Sequence, residues 1–125
     1  MVGVARQRVM RAVIYCRVST RDQVQNLSLP TQKKACVEYC QRNGYGVDRV
    51  FVEEGESAKT ADRTELKNSL TYCRQNRGRL HAVVVYALSR FAREKYDHHV
   101  LRATLANLQI TLRSVTQSMI PLLGS

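Results

Sequence analysis

Apolar and polar positions alternate along the chain in blocks that switch between strand and helix periods. Residues Arg11–Cys16, RAVIYC, form a short apolar, β-branched run that breaks into the polar stretch Arg17–Asn26, the pattern of a buried strand leading into a functional loop. From Ser28 the segment SLPTQKKACVEYCQRNG has a cap residue, Pro30 in its first turn, and Leu29, Cys36, Val37 and Cys40 at helical spacing. With Gly44 as a stop, that spacing predicts a helix. Val47–Val52, VDRVFV, reads as a second strand, followed by EEGESAKTA, a loop too poor in apolar residues to pack alone and expected to be mobile. Asp62 with Glu65 makes a capping-box-like start to a second helix, whose buried face is marked by Leu66, Leu70 and Cys73 and which stops at Asn76–Gly78. Leu80–Tyr86, LHAVVVY, is nearly all apolar, as expected of a central strand covered on both faces. Tyr96–Leu108 places Val100, Leu101, Leu105 and Leu108 at helical spacing, and Ile110–Val115 alternates like a last strand.

This alternation with short connections predicts an α/β fold: a three-layer domain on a largely parallel central sheet with helices on both faces. Its ligand site is expected in loops at the carboxyl ends of strands. The chain shows no internal repeat and no low-complexity tract. Its 125 residues suit one domain, and no apolar run approaches the roughly 20 residues needed to cross a bilayer. The start, MVGVARQRVM, lacks the unbroken apolar stretch of a secretory signal, so the cytoplasm is the expected compartment.

Charge changes the picture. Lys and Arg outnumber Asp and Glu by 20 to 10, and a net charge of +10 on so small a domain concentrates polyanions at its surface. Nucleic acid is therefore the first partner to consider, although an inert basic surface has the same composition. The four cysteines, Cys16, Cys36, Cys40 and Cys73, contain no CxxC pair; they read as buried free thiols of a reducing compartment rather than as a zinc site. His98 and His99 are adjacent and point to different parts of a helix surface, so they read as surface residues.

Two loops at predicted carboxyl ends of strands hold the candidate chemistry: Arg17, Val18, Ser19 and Thr20 after the first strand, and Leu88, Ser89, Arg90, Phe91, Ala92 and Arg93 after the third. Attack of a hydroxyl on a phosphodiester builds negative charge on nonbridging oxygens, which planar guanidinium groups bind bidentately. Serine at its ordinary pKa needs a base or a strong positive field to act as a nucleophile. Spacing alone leaves the bland readings open: Ser19 as a turn or capping hydroxyl, Arg90 and Arg93 as a solvated helix face, Arg63 as a first-turn residue and Gln32 as an exposed helical one.

Beyond spacing, four motifs resemble the serine recombinases, the family of resolvases, invertases and large phage integrases. YCRVST, Tyr15–Thr20, resembles the nucleophile loop, with Ser19 at the nucleophile position and Arg17 at that of a catalytic arginine. LSLPTQ, Leu27–Gln32, resembles the start of the next helix and puts Gln32 on the family's active-site glutamine. EEGESAKTADRTEL, Glu53–Leu66, puts Arg63 on another active-site arginine, and ALSRFARE, Ala87–Glu94, puts Arg90 and Arg93 on the pair that binds the scissile phosphate. Many resolvases carry Asp where this chain has Ser89, a supporting position that large members also vary. The interval from Ser19 to Gln32 is closer to the large and transposon-borne types.

The resemblance, running from about Arg11 to about Gln117, implies a resolvase-like fold. It also implies DNA cleavage and rejoining through a 5′-phosphoserine at Ser19, with Arg17, Arg63, Arg90 and Arg93 binding the phosphate. The link stores the phosphodiester's energy, so no cofactor and no metal is implied, and no small-molecule substrate. DNA and self-association to dimer and tetramer are the implied partners. The expected division is a flexible tail over 1–10, a catalytic domain over 11–117 and a C-terminal tail over 118–125, where the long dimerisation helix and DNA-binding domain of the family would otherwise follow. Pro121 and Gly124 oppose such a helix, and the isolated chain is expected not to complete recombination. Two rivals remain: a noncatalytic basic nucleic-acid-binding remnant, and an enzyme of small phosphoesters using the same groups.

Overall fold

The computed structural model of the chain describes residues 10–18, 28–54, 64–87 and 95–116, with 95–98 described by backbone alone. The described elements are β1 (Met10–Val18), α1 (Leu29–Arg42), β2 (Tyr45–Glu54), α2 (Thr64–Gln75), β3 (Ala82–Val85), α3 (Lys95–Asn107) and β4 (Thr111–Ser114). The strands form a parallel sheet in the order β2-β1-β3-β4. Each connection runs through a helix, as parallel neighbours require.

Period-two alternation along the strands sorts the side chains into two cores. Ala12, Ile14 and Cys16 of β1, with Ala82 and Val84 of β3, pack against Cys36 and Cys40 of α1. Val13 and Tyr15, with Phe51, Val83, Val85 and Leu112, face Leu66 and Cys73 of α2 and Leu105 of α3 on the opposite side. The molecule therefore has the three layers expected, with α1 on one face and α2 and α3 on the other. Cys16, Cys36, Cys40 and Cys73 are all buried and free. Burial pushes the Cys40 and Cys73 thiols up to about 11.

Element boundaries depart from the sequence pattern where backbone pairing overrides side-chain polarity. β1 continues two residues beyond its apolar run because Arg17 and Val18 pair with Glu53 and Glu54. The same pairing draws those two acids, expected in the mobile loop, into β2; the remainder of that loop lies outside the described residues. Ser28 caps α1, its side chain accepting from the Thr31 amide at 3.4 Å. Gly44 follows the C-cap with φ of 77°, a left-handed conformation that costs glycine nothing.

At the amino end of the sheet, the register shifts between Ala12 and Val13, whose partners are Val47 and Arg49, leaving Asp48 as the extra residue of a bulge in β2. The bulge aims Asp48 at three partners. Arg11 binds one carboxylate oxygen through Nε at 2.6 Å, Arg79 binds the other at 2.9 Å, and the Tyr72 hydroxyl donates to it at 3.2 Å. Only 1% of the Asp48 side chain is exposed. Burial alone would raise its pKa, but the bonds and charges of Arg11 and Arg79 outweigh that and hold it below the ordinary aspartate value.

Candidate active site

The expected site belongs to the carboxyl end of the sheet, and strand register decides which segments start there. Tyr15 of β1 lies opposite Val85 of β3, and Arg17 lies opposite Glu53 of β2. Three adjacent parallel strands therefore end together, so the chain leaves Val18, Glu54 and Ala87 at one end of the sheet. The segments that begin there carry Ser19, Arg63, and the group Ser89, Arg90 and Arg93. These five residues lie outside the described residues; of the sequence-derived candidates, Arg17 and Gln32 lie within them.

Arg17 is half-buried near the end of β1. Gln32, in the second turn of α1, is fully buried, and its Nε2 amide donates to the Arg17 carbonyl oxygen at 3.0 Å. The exposed-helical reading of Gln32 is thus corrected. Its position follows from the start of α1: the cap at Ser28 and the proline in the first turn set the helix phase, and the i, i+4 row Gln32, Cys36 and Cys40 then faces the sheet. The bond ties the entry of α1 to the strand position two residues before Ser19.

Glu53, at the end of β2, was not singled out by sequence. Its carboxylate accepts from the Tyr15 hydroxyl at 3.1 Å, from the Leu66 amide at 3.0 Å and from the Glu65 amide at 3.3 Å. One charged group thereby joins β1, β2 and the first turn of α2, where a negative charge is favoured by the unpaired N–H groups. α2 begins immediately after Arg63, so Glu53 sets where the chain emerges from that segment. The expected local cap, Asp62, lies outside the described residues; the amides of Glu65 and Leu66 go to Glu53, while the Glu65 carboxylate accepts from Asn68 at 3.3 Å. A cap twelve residues upstream leaves no local signal, and only the strand register brings it into place.

Among the described residues, no group of three His, Cys, Asp or Glu side chains could hold a metal ion. No described helix is long and apolar enough to cross a membrane. His99 is exposed, in line with a surface role.

Comparison with known proteins adds to this geometry. Residues 12–122 match the family described as Resolvase, N terminal domain. The fold is similar to the N-terminal catalytic domain of TP901-1 integrase, with a TM-score of 0.73 at 22% identity over 86% of this chain and 78% of the other. It is similar as well to a resolvase family site-specific recombinase from Streptococcus pneumoniae, with a TM-score of 0.73 at 25% identity over 85% of this chain and 72% of the other. In sequence, the chain is 35% identical over 63 residues to an uncharacterized immunity region protein 3 of Bacillus phage phi105, covering 50% of this chain and 77% of that one.

Proposed function

Because the chain belongs to the resolvase N-terminal domain family, the catalytic domains of serine recombinases, we propose that Ser19 is the nucleophile that cuts and rejoins DNA. The observation that supports this most is the shared carboxyl end of β1, β2 and β3, from which the segments bearing Ser19, Arg63 and Arg90 with Arg93 all depart. Ser19 Oγ attacks the phosphorus in line, a 5′-phosphoserine forms, and the 3′ oxygen leaves with a proton. Rejoining is the reverse, with the 3′-hydroxyl attacking and Ser19 leaving. Arg17, Arg63, Arg90 and Arg93 bind the nonbridging oxygens as charge builds on them.

Gln32 acts one step back, by fixing the backbone that presents Arg17 and Ser19. Ser89 supports Arg90 in place of the acid found in many resolvases. Family membership brings DNA binding and self-association in general; the finer reading is a dimer on DNA and a tetramer during exchange. We assign the catalytic unit to residues 11–117.

Covalent capture tests this reading. The chain is incubated with randomised duplex DNA, denatured in detergent and digested, and nucleotide-bearing peptides are identified by mass. A nucleotide on Ser19, lost in Ser19→Ala with DNA binding intact, is the expected result. DNA bound equally by both proteins, with no adduct on either, would favour the noncatalytic remnant.

A further inference from the structure

The amino end of the sheet, opposite the segment bearing Ser19, carries a charge pattern that the chemistry above does not use. Parallel strands begin there and the helices between them end there, so the first residues of β1 and β2 lie beside the turn that leads from α2 into β3. Four arginines gather on the α2 side of this end: Arg11 of β1, Arg49 of β2, and Arg77 and Arg79 of the turn. Arg11 and Arg79 share the buried Asp48 carboxylate, which holds both guanidinium groups while 36% and 56% of their side chains stay exposed. Arg49 is exposed as well. Its guanidinium carbon stands 5.0 Å from the centre of the Phe51 ring and 5.2 Å from that of Tyr72, whose hydroxyl donates to the same Asp48. Arg77 is exposed and donates from Nη2 to the Asn107 carbonyl at the end of α3, at 3.4 Å.

Four guanidinium groups therefore face one carboxylate. Among the described residues, no acid other than Asp48 stands on β1, on β2 before Glu53, or from the last turn of α2 to β3, and Glu53, Glu54 and Glu65 lie at the other end of the sheet. Balancing a buried charge accounts for the presence of Arg11 and Arg79, but Asp48 occupies only part of the five N–H donors that each guanidinium carries. The shared carboxylate and the aromatic bed under Arg49 hold planar cationic forks in place at the surface, which lowers the entropy lost when an anion binds them. Such forks match phosphate oxygens bidentately.

We propose that this face is a second DNA-contact surface, which takes the phosphate backbone of a duplex without reading its sequence. β1 runs nine residues at about 3.3 Å each, so the patch stands roughly 25–30 Å from the end of the strand where the segment bearing Ser19 begins. Its contacts are thus separate from those made to the scissile phosphate. Backbone contacts of this kind position a duplex and carry no sequence information, which suits a surface made of arginines alone. The proposal rests on the DNA binding that family membership brings in general, and not on the role of Ser19.

The full chain, labelled with nitrogen-15, is titrated with a short duplex of mixed sequence. The backbone amides of 46–49 and 76–80 and the Nε–Hε resonance of Arg49 are expected to shift as the duplex is added. Arg49→Gln and Arg77→Gln leave the bonds of Asp48 to Arg11, Arg79 and Tyr72 in place, so both variants keep the fold. Each is expected to bind the duplex about tenfold more weakly at about 0.1 M salt, with a logarithmic salt dependence shallower by about 0.9.

Shifts confined to the carboxyl end of the sheet, or variants that bind as the wild type does, overturn the surface. The same amides moving with protein concentration in the absence of DNA assign the face to a second copy of the chain. Equal shifts with polyglutamate at the same salt assign it to an acidic protein, and either result overturns the proposal. Shifts at the amino end in a protein that forms no adduct at Ser19 keep this surface and count against the nucleophile; an adduct at Ser19 without those shifts does the reverse.

Discussion

Two carboxylates, the partly buried Glu53 and the buried side chain of Asp48, carry loads that single substitutions can measure. Glu53 takes three donors from two other elements, so Glu53→Ala removes one acceptor shared by the first amides of α2 and the Tyr15 hydroxyl. A loss of about 2–3 kcal/mol in urea unfolding is expected, with a smaller loss of about 1 kcal/mol for Glu53→Gln, which keeps an acceptor oxygen but not the charge. Asp48 gives a pH signature. Its folded pKa is depressed, so its contribution is complete above the unfolded value of about 3.9 and disappears as pH falls through the folded value. Stability measured down the acid limb should therefore fall more steeply in the wild type than in Asp48→Asn, whose curve starts lower at neutral pH. Neither carboxylate was legible from sequence. Asp48 depends on a bulge and on Arg79, 31 residues away, and Glu53 on a helix that starts beyond an intervening loop. Gln32 was legible as a functional position by resemblance, but its burial follows only from the phase of α1 against β1.

At the scale of elements, the apolar periods located every strand and helix that the described residues contain, because each element buries one face or both. Their ends were less visible, since backbone pairing extends β1 and β2 into polar sequence. The end of α3 shows another case. The Ile110 amide donates to the Leu105 carbonyl at 2.9 Å and the Gln109 amide to that of Ala106 at 2.8 Å, a Schellman arrangement that puts Gln109 at φ of 63°. Ile110 and Leu105 complete it by meeting in the core. Gln109→Gly removes the steric cost of that φ, and a gain of about 0.5–1 kcal/mol in thermal or denaturant unfolding is expected after the extra freedom of the unfolded chain is counted. Leu105→Ala has the opposite sign. Leu105 is fully buried among side chains of both helices on that face, and a loss of about 2–5 kcal/mol is expected by the same measurement.

For the whole molecule, a net charge of +10 bears on substrate more than on fold. Affinity for duplex DNA of arbitrary sequence should fall linearly on logarithmic axes as salt rises, with a slope near −0.9 for each phosphate neutralised. An affinity indifferent to salt would contradict a phosphate-dominated interface. The layered α/β class was legible from the alternation of elements; the strand order was not, because several parallel orders satisfy the same periodicity.

That order, β2-β1-β3-β4, seats the first described strand between the second and the third. During synthesis β1 therefore emerges before either neighbour exists. It gains β2 once residue 54 is free, but its other edge waits for Ala82–Val85. Over that interval an apolar strand offers unpaired backbone groups to any other nascent chain within reach. Slow translation between residues 54 and 85 should lower the yield of folded protein, even though the finished domain carries no mark of the delay.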